Sequence, residues 1–187
     1  MADAPKDSRK QIFTIPNLLS FFRLLLVPVI AWLYCWKKDY PLTALVLVLS
    51  GATDIADGFI ARHFDMVSDM GKVLDPVADK LTQVTALACL LTRFQAIWWP
   101  LGMMVIKETA MTVMGILVIR RTKAVYSAAW HGKLATVMLY AVIFIHIIWY
   151  DVSQSVSALL AGLGAACILL SLILYAAANL RRLREAK

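Results

Sequence analysis

Cysteine is scarce in this chain, with three in 187 residues, and Cys35, Cys89 and Cys167 each stand alone in an apolar stretch. That excludes a disulfide framework and a paired-thiol zinc site, and leaves the thiols as packing groups. Histidine is just as thin. His63, His131 and His146 have no second histidine at ligand spacing, so they read as interfacial or packing residues. Acidic residues are outnumbered by Lys and Arg, 12 to 19, for a formal charge of +7. Also missing are an internal repeat, a low-complexity tract and any polar stretch long enough to form a second, soluble domain.

What the chain has in excess is apolar character: 61% of its residues are hydrophobic, the composition of a small integral membrane protein. Apolar runs near the roughly 20 residues that a helix needs to cross a bilayer lie at 15–36, 42–61, 73–92, 97–119, 134–150 and 155–178. The expected fold is therefore all-α, a polytopic bundle of six transmembrane helices. A polar segment, 1–14, precedes it, and a basic tail, 179–187, follows. The first run has no small-residue cleavage site and carries Arg23 and Pro28, so it reads as a retained helix rather than a removed signal peptide.

Basic residues orient the bundle. Lys6, Arg9 and Lys10, then Arg62 and Lys72, then Arg120, Arg121, Lys123 and Lys133, then Arg181, Arg182, Arg184 and Lys187 fall on one side of the expected spans. Lys37, Lys38 and Arg93 fall on the other. The positive-inside rule puts both termini and the more basic side in the cytoplasm of a multi-pass cell-membrane protein. The clusters are thus topogenic rather than a nucleic-acid-binding face. Trp36, Tyr40, Trp98, Trp99, Trp149 and Tyr150 mark the opposite interface as an aromatic belt.

Against this background four carboxylates stand out, in the run Asp54-x2-Asp57-Gly58-x2-Ala61-Arg62-x8-Gly71-x3-Asp75-x3-Asp79. Asp54, Asp57 and Ala61 share one helix face, and Gly71, Asp75 and Asp79 share another. A hairpin around the polar stretch 62–69 brings the two faces together at the cytoplasmic end of the second and third spans. Hard oxygen ligands in such a pocket suit Mg²⁺ or Mn²⁺. Gly58, Ala61 and Gly71 leave room for a bulky phosphate or nucleotide, and Arg62 offers a fixed fork of donors to it. Carboxylates repel a phosphate unless divalent metal bridges the two, so the constellation is coherent only with metal. The plainer alternative is an ion pair with Arg62, Lys72 or Lys80 that merely satisfies buried charge. Asp65 and Asp69 read as solvated bystanders, Asp69 as a helix N-cap.

This run resembles the signature of the CDP-alcohol phosphatidyltransferase family, with all eight fixed positions at the right spacing; a chance match is on the order of 10⁻¹⁰ per starting position. The resemblance covers essentially the whole chain, with 15–178 as the family's membrane domain. It implies two divalent ions, Mg²⁺ or Mn²⁺, holding the diphosphate of a CDP-linked lipid, CDP-diacylglycerol. Asp54, Asp57 and Asp75 would be metal ligands, and Asp79 both ligand and catalytic base. Asn17, Asp54, Gly58, Ala61, Arg62, Ser68 and Gly71 would line the CDP-lipid site. The resemblance also suggests a homodimer.

The acceptor alcohol is less sharply marked. The segments 15–23 and 71–80 are most similar to the phosphatidylglycerophosphate synthase branch, which implies glycerol 3-phosphate as acceptor. The alternatives are the cardiolipin synthases, which use phosphatidylglycerol, and an inositol-phosphate acceptor. An anionic acceptor needs further cations. Lys107, a charge in the middle of the fourth apolar run, is the first candidate, followed by Lys133, Arg120 and Arg121. Glu108 neighbours Lys107 but projects about 100° away around a helix, so the two are not automatically a pair. A different class, a divalent-cation transporter, predicts acids spread through the bilayer depth, whereas these cluster at one end.

Overall fold

The computed structural model describes residues 15–63, 70–122 and 130–185. The segments 1–14 and 64–69, with Ser68, Asp65 and Asp69, and 123–129, with Lys123, lie outside the described residues, as do the side chains of Ala61, Arg62, Lys72 and His131. Among the described residues the chain is helical: α1 (Ile15–Trp32), α2 (Tyr40–His63), α3 (Gly71–Leu91), α4 (Trp98–Thr122), α5 (Trp130–Ile148) and α6 (Gln154–Glu185). It divides into two compact units, Met1–Cys89 and Leu90–Lys187.

Four stretches are long and apolar enough to cross a membrane: Pro16–Lys37, Tyr40–Ile60, Gln95–Arg121 and Gln154–Arg184. Only 17–33% of each is buried inside the protein, so most of the apolar surface faces outward. Leu18, Leu45, Leu159 and Ile173 are all more than half exposed; such surfaces need lipid or a partner rather than water. The apolar helix Gly132–Ile148 is shorter. α3 carries Lys72, Asp75, Asp79 and Lys80 in a helix of 21 residues and is not among the four.

In the first unit, α1 runs into a π-helical turn, Leu33–Lys37. Lys38 closes it in the left-handed region at φ 53°, its N–H bonding to Leu33 O. Asp39 then caps α2: its Oδ1 accepts from Leu42 N at 3.0 Å and its carbonyl from Thr43 N at 3.0 Å. With Pro41 in the first turn, where its missing N–H costs nothing, the chain reverses and α2 packs back along α1. Tyr34 and Tyr40 meet edge to face at 5.2 Å across this turn.

In the second unit, α4 and α5 both pack on α6. Gly164 on α6 lets α5 come close, since a Cβ there would stand 3.1 Å from Val142 Cγ2. Tyr175 reaches α4, where its hydroxyl donates to Met111 O at 3.5 Å beside Gly115. At Gly102 and Gly162 an added Cβ would meet nothing within 4 Å among the described residues. His146, fully buried, donates from Nδ1 to Val142 O and accepts at Nε2 from Ser157, tying α5 to α6. It is the packing residue that its lone position implied. Helix α6 continues to Glu185, so Arg181, Arg182 and Arg184 extend the helix instead of forming a separate tail. Leu, Arg and Glu are good helix formers, and apolarity need not last as long as the helix does.

Candidate active site

The four motif aspartates, read from spacing alone as two carboxylate faces, do converge in part, and they converge on a residue of α1. Asn17, Ser20 and Arg23 recur every three residues along that helix and are all buried, at 5%, 0% and 2% exposure. They form a polar stripe in an otherwise apolar segment. A guanidinium so placed needs counter-charge, and α2 supplies it. Arg23 Nη1 bonds to Asp54 Oδ1, and Nη2 bonds to Asp57 Oδ2 at 2.9 Å. From α3, Asp75 Oδ1 lies 3.8 Å from the same Nη2. Ser20 Oγ bonds to Asp75 Oδ1 and stands 3.4 Å from Asp57 Oδ2. One cationic fork and one hydroxyl therefore gather three carboxylates from two helices.

These contacts also set the depth of the site. Arg23 lies eight residues into α1, about 12 Å along the axis at 1.5 Å per residue. Asp54 and Asp57 are in the last three turns of α2 and Asp75 in the second turn of α3. The start of α1, the end of α2 and the start of α3 are thus at the same end of the first unit. Asp57 is shut away, with 3% of its side chain exposed, whereas Asp54 and Asp75 are 48% and 39% exposed. The cluster thus has one buried acid and two that remain partly exposed.

Asp79, one turn beyond Asp75 on α3, is held from its own helix: Gln83 Nε2 donates to its Oδ2 at 2.9 Å, and Lys80 Nζ lies 4.0 Å from the same oxygen. Pro76 sits inside α3 between the two acids; its ring removes one backbone donor within the helix. Gly71 is buried at the start of α3 and Gly58 half-buried on α2. The ion-pair partner anticipated for the acids was Arg62, Lys72 or Lys80. Lys80 does stand beside Asp79, and among the described side chains the cation that meets Asp54, Asp57 and Asp75 is Arg23, noticed in the sequence only as the mark of a retained helix; the side chains of Arg62 and Lys72 lie outside the described ones. The three-residue spacing of Asn17, Ser20 and Arg23 is a signal of a shared polar face, but it does not name the acids that face it.

The donor set suits a hard divalent cation: it is all oxygen and anionic, and three of its members already converge on one positive centre. Among the described residues no three His, Cys, Asp or Glu side chains are arranged to hold a metal as they stand. The guanidinium of Arg23 rests on one oxygen of each of Asp54, Asp57 and Asp75.

In the second unit, Lys107 is 5% exposed in the middle of α4, and its Nζ lies 3.2 Å from Glu108 Oε1. Although the two residues diverge around the helix, their flexible stems close the pair. Arg120, Arg121 and Lys133 are exposed.

Residues 13–177 match the CDP-alcohol phosphatidyltransferase family. Among relatives, the chain is 30% identical over 169 residues to a CDP-diacylglycerol–glycerol-3-phosphate 3-phosphatidyltransferase of Pectobacterium atrosepticum, covering 87% of this chain and 88% of the relative. It is 50% identical over 86 residues to a cardiolipin synthase (CMP-forming)/mitochondrial hydrolase fusion protein of Schizosaccharomyces pombe, and 38% identical over 115 residues to a cardiolipin synthase (CMP-forming) of Rattus norvegicus. These matches take in 46% and 61% of this chain but only 14% and 37% of those longer proteins. The spacing of the aspartates and a family match that runs through all six helices lead to the same conclusion: this chain belongs to the CDP-alcohol phosphatidyltransferase family.

Proposed function

We propose that the protein transfers the phosphatidyl group of CDP-diacylglycerol to glycerol 3-phosphate, releasing CMP and forming phosphatidylglycerophosphate. The observation that carries this reading is the convergence of Asp54, Asp57 and Asp75 at one end of the first unit, at the spacing of a family whose members generally use divalent metal ions. The Pectobacterium relative bears the name of this reaction over nearly its full length.

The site works in the cell membrane, at the cytoplasmic end of a six-span bundle with both termini inside. α3 and α5 complete the six spans: α3 falls short in hydropathy because it carries the site's own charges, and α5 because it is short. The CDP-lipid headgroup enters among Asn17, Gly58, Ala61, Arg62, Ser68 and Gly71, with Arg62 donating to a phosphate oxygen. Asp54, Asp57, Asp75 and Asp79 would hold two divalent ions, Mg²⁺ or Mn²⁺, which when bound supply Lewis-acid charge to the diphosphate oxygens. Asp79 accepts the proton of the acceptor hydroxyl, the acceptor oxygen bonds to the lipid-side phosphorus, and the bond to CMP breaks. Gln83, on Asp79 Oδ2, orients that carboxylate. Lys107 is the first candidate to hold the acceptor's phosphate, with Lys133, Arg120 and Arg121 behind it. The protein works as a homodimer.

A second reading replaces glycerol 3-phosphate by phosphatidylglycerol and makes the product cardiolipin. It is favoured by the 50% identity to the S. pombe protein over 86 residues. Both readings require acceptor-dependent CMP release from CDP-diacylglycerol by the purified protein, abolished by chelation of divalent metal. CMP release that persists under chelation contradicts the metal assignment, and its absence with every acceptor contradicts the activity.

A further inference from the structure

Arg23 occupies an unusual place for a cation beside a metal-type carboxylate set. Its side chain is 2% exposed, its Nη1 and Nη2 engage Asp54, Asp57 and Asp75, and its Nε is buried with no hydrogen-bond partner among the described residues. The contacts fall on Asp54 Oδ1, Asp57 Oδ2 and Asp75 Oδ1. A divalent cation shared by the same carboxylates draws on the same negative charge, even where it takes the oxygen of each that Arg23 leaves open. Two positive centres a few ångström apart in a partly dry site also repel strongly.

We infer that Arg23 is a built-in counter-ion, which holds the motif carboxylates together and opposes the divalent cation that shares their negative charge. The inference rests on the metal-dependent reading above. Without a cation, three aspartates gathered at the ends of α1, α2 and α3 would repel one another and spread apart; Arg23 offsets that repulsion and Ser20 fixes the register of Asp57 and Asp75. A metal held by these aspartates would weaken the Arg23 contacts, since two positive centres would share one set of carboxylates. The loosened donors, with Nε lacking an acceptor among the described residues, then face a site into which the substrate brings phosphate oxygens, the acceptor type that a guanidinium fork suits best. Metal binding before substrate is consequently weak, because the charge of Arg23 opposes it, and metal and diphosphate favour each other's binding because the diphosphate gives Arg23 new partners. Arg23 is on this account a positioning residue, acting on the site through the aspartates.

The test is direct Mn²⁺ binding, by calorimetry or by the electron-spin signal of free Mn²⁺, to the full-length protein in detergent without nucleotide. Wild type is compared with Arg23→Gln, which keeps polarity but loses charge, and Arg23→Lys, which keeps charge but loses the fork. Arg23→Gln should bind Mn²⁺ at least about tenfold more tightly than wild type, and Arg23→Lys should fall between them. Thermal unfolding gives a second readout: Arg23→Gln should melt below wild type without metal and gain more from added Mn²⁺. A purely structural arginine would lower both melting temperatures by the same amount. Equal or weaker Mn²⁺ binding by folded Arg23→Gln overturns the inference, because Arg23 would then be assembling the site for the metal. If Arg23→Gln does not fold, Arg23→Lys decides, and an affinity equal to wild type overturns it. Absence of Mn²⁺ binding in all three contradicts the metal-dependent reading itself, whereas binding that ignores Arg23 contradicts only the counter-ion.

Discussion

Arg23 Nη2 lies 2.9 Å from Asp57 Oδ2, with 2% and 3% of the two side chains exposed, and this pair joins α1 to α2 at the base of the site. Asp54 bonds to the same guanidinium, but 48% of its side chain is exposed. The two aspartates therefore differ in what their loss costs. Removing one partner of a shielded pair costs up to about 3 kcal/mol, and less here because Arg23 keeps Asp54 and Asp75; removing one that water already reaches costs about 1 kcal/mol or less. Asp57→Ala should accordingly destabilise the protein clearly more than Asp54→Ala in unfolding measurements without metal. Equal losses would contradict the buried base of the site.

Asp79 stands apart from the Arg23 contacts described for the other acids and is oriented by Gln83 on its own helix. Its proposed part is to take the acceptor's proton, so Asp79→Asn should retain CDP-lipid binding better than turnover, with CMP release falling by about 10²-fold or more. Unchanged turnover would remove Asp79 as the base.

Lys107 is buried in mid-helix with Glu108 at 3.2 Å, a charged pair where apolar residues would pack without any desolvation cost. If it holds the acceptor's phosphate, Lys107→Ala should raise the KM for glycerol 3-phosphate by about tenfold or more while changing the KM for CDP-diacylglycerol little. An unaltered acceptor dependence would leave the pair as part of the α4 packing.

His146 and Ser157 are both fully buried and bonded at 2.9 Å across α5 and α6. Ser157→Ala removes the hydroxyl and leaves Nε2 of the imidazole without this donor, a cost of about 1–3 kcal/mol. The loss should appear in thermal unfolding with the KM values unchanged, since the contact lies in the helix packing of the second unit.

The sequence carried the helices because apolar runs and their breaks are local signals. It carried the four aspartates as a set because residues three and four apart share a helix face. It did not carry the identity of their partner. Arg23 meets Asp54 and Asp57 only through the register of α1 on α2, which depends on a reversal at Lys38 and Asp39 and on packing between segments some thirty residues apart. The π-helical turn at Leu33–Lys37 has no periodicity of its own to announce it. At Lys107 and Glu108, helix geometry separated two Cβ directions correctly, but long side chains with several rotatable bonds closed the gap. α6 outran its apolar stretch because good helix formers continue past the point where hydropathy falls.

The central claim is a phosphatidyl transfer to glycerol 3-phosphate, and the most direct measurement is the identity of the lipid formed. Purified protein is given CDP-diacylglycerol and Mg²⁺ or Mn²⁺ with glycerol 3-phosphate, phosphatidylglycerol or inositol phosphate in parallel, and CMP and lipid products are identified by mass spectrometry. Phosphatidylglycerophosphate should form one for one with CMP, and only with glycerol 3-phosphate. Cardiolipin formed from phosphatidylglycerol, with glycerol 3-phosphate inert, would contradict it.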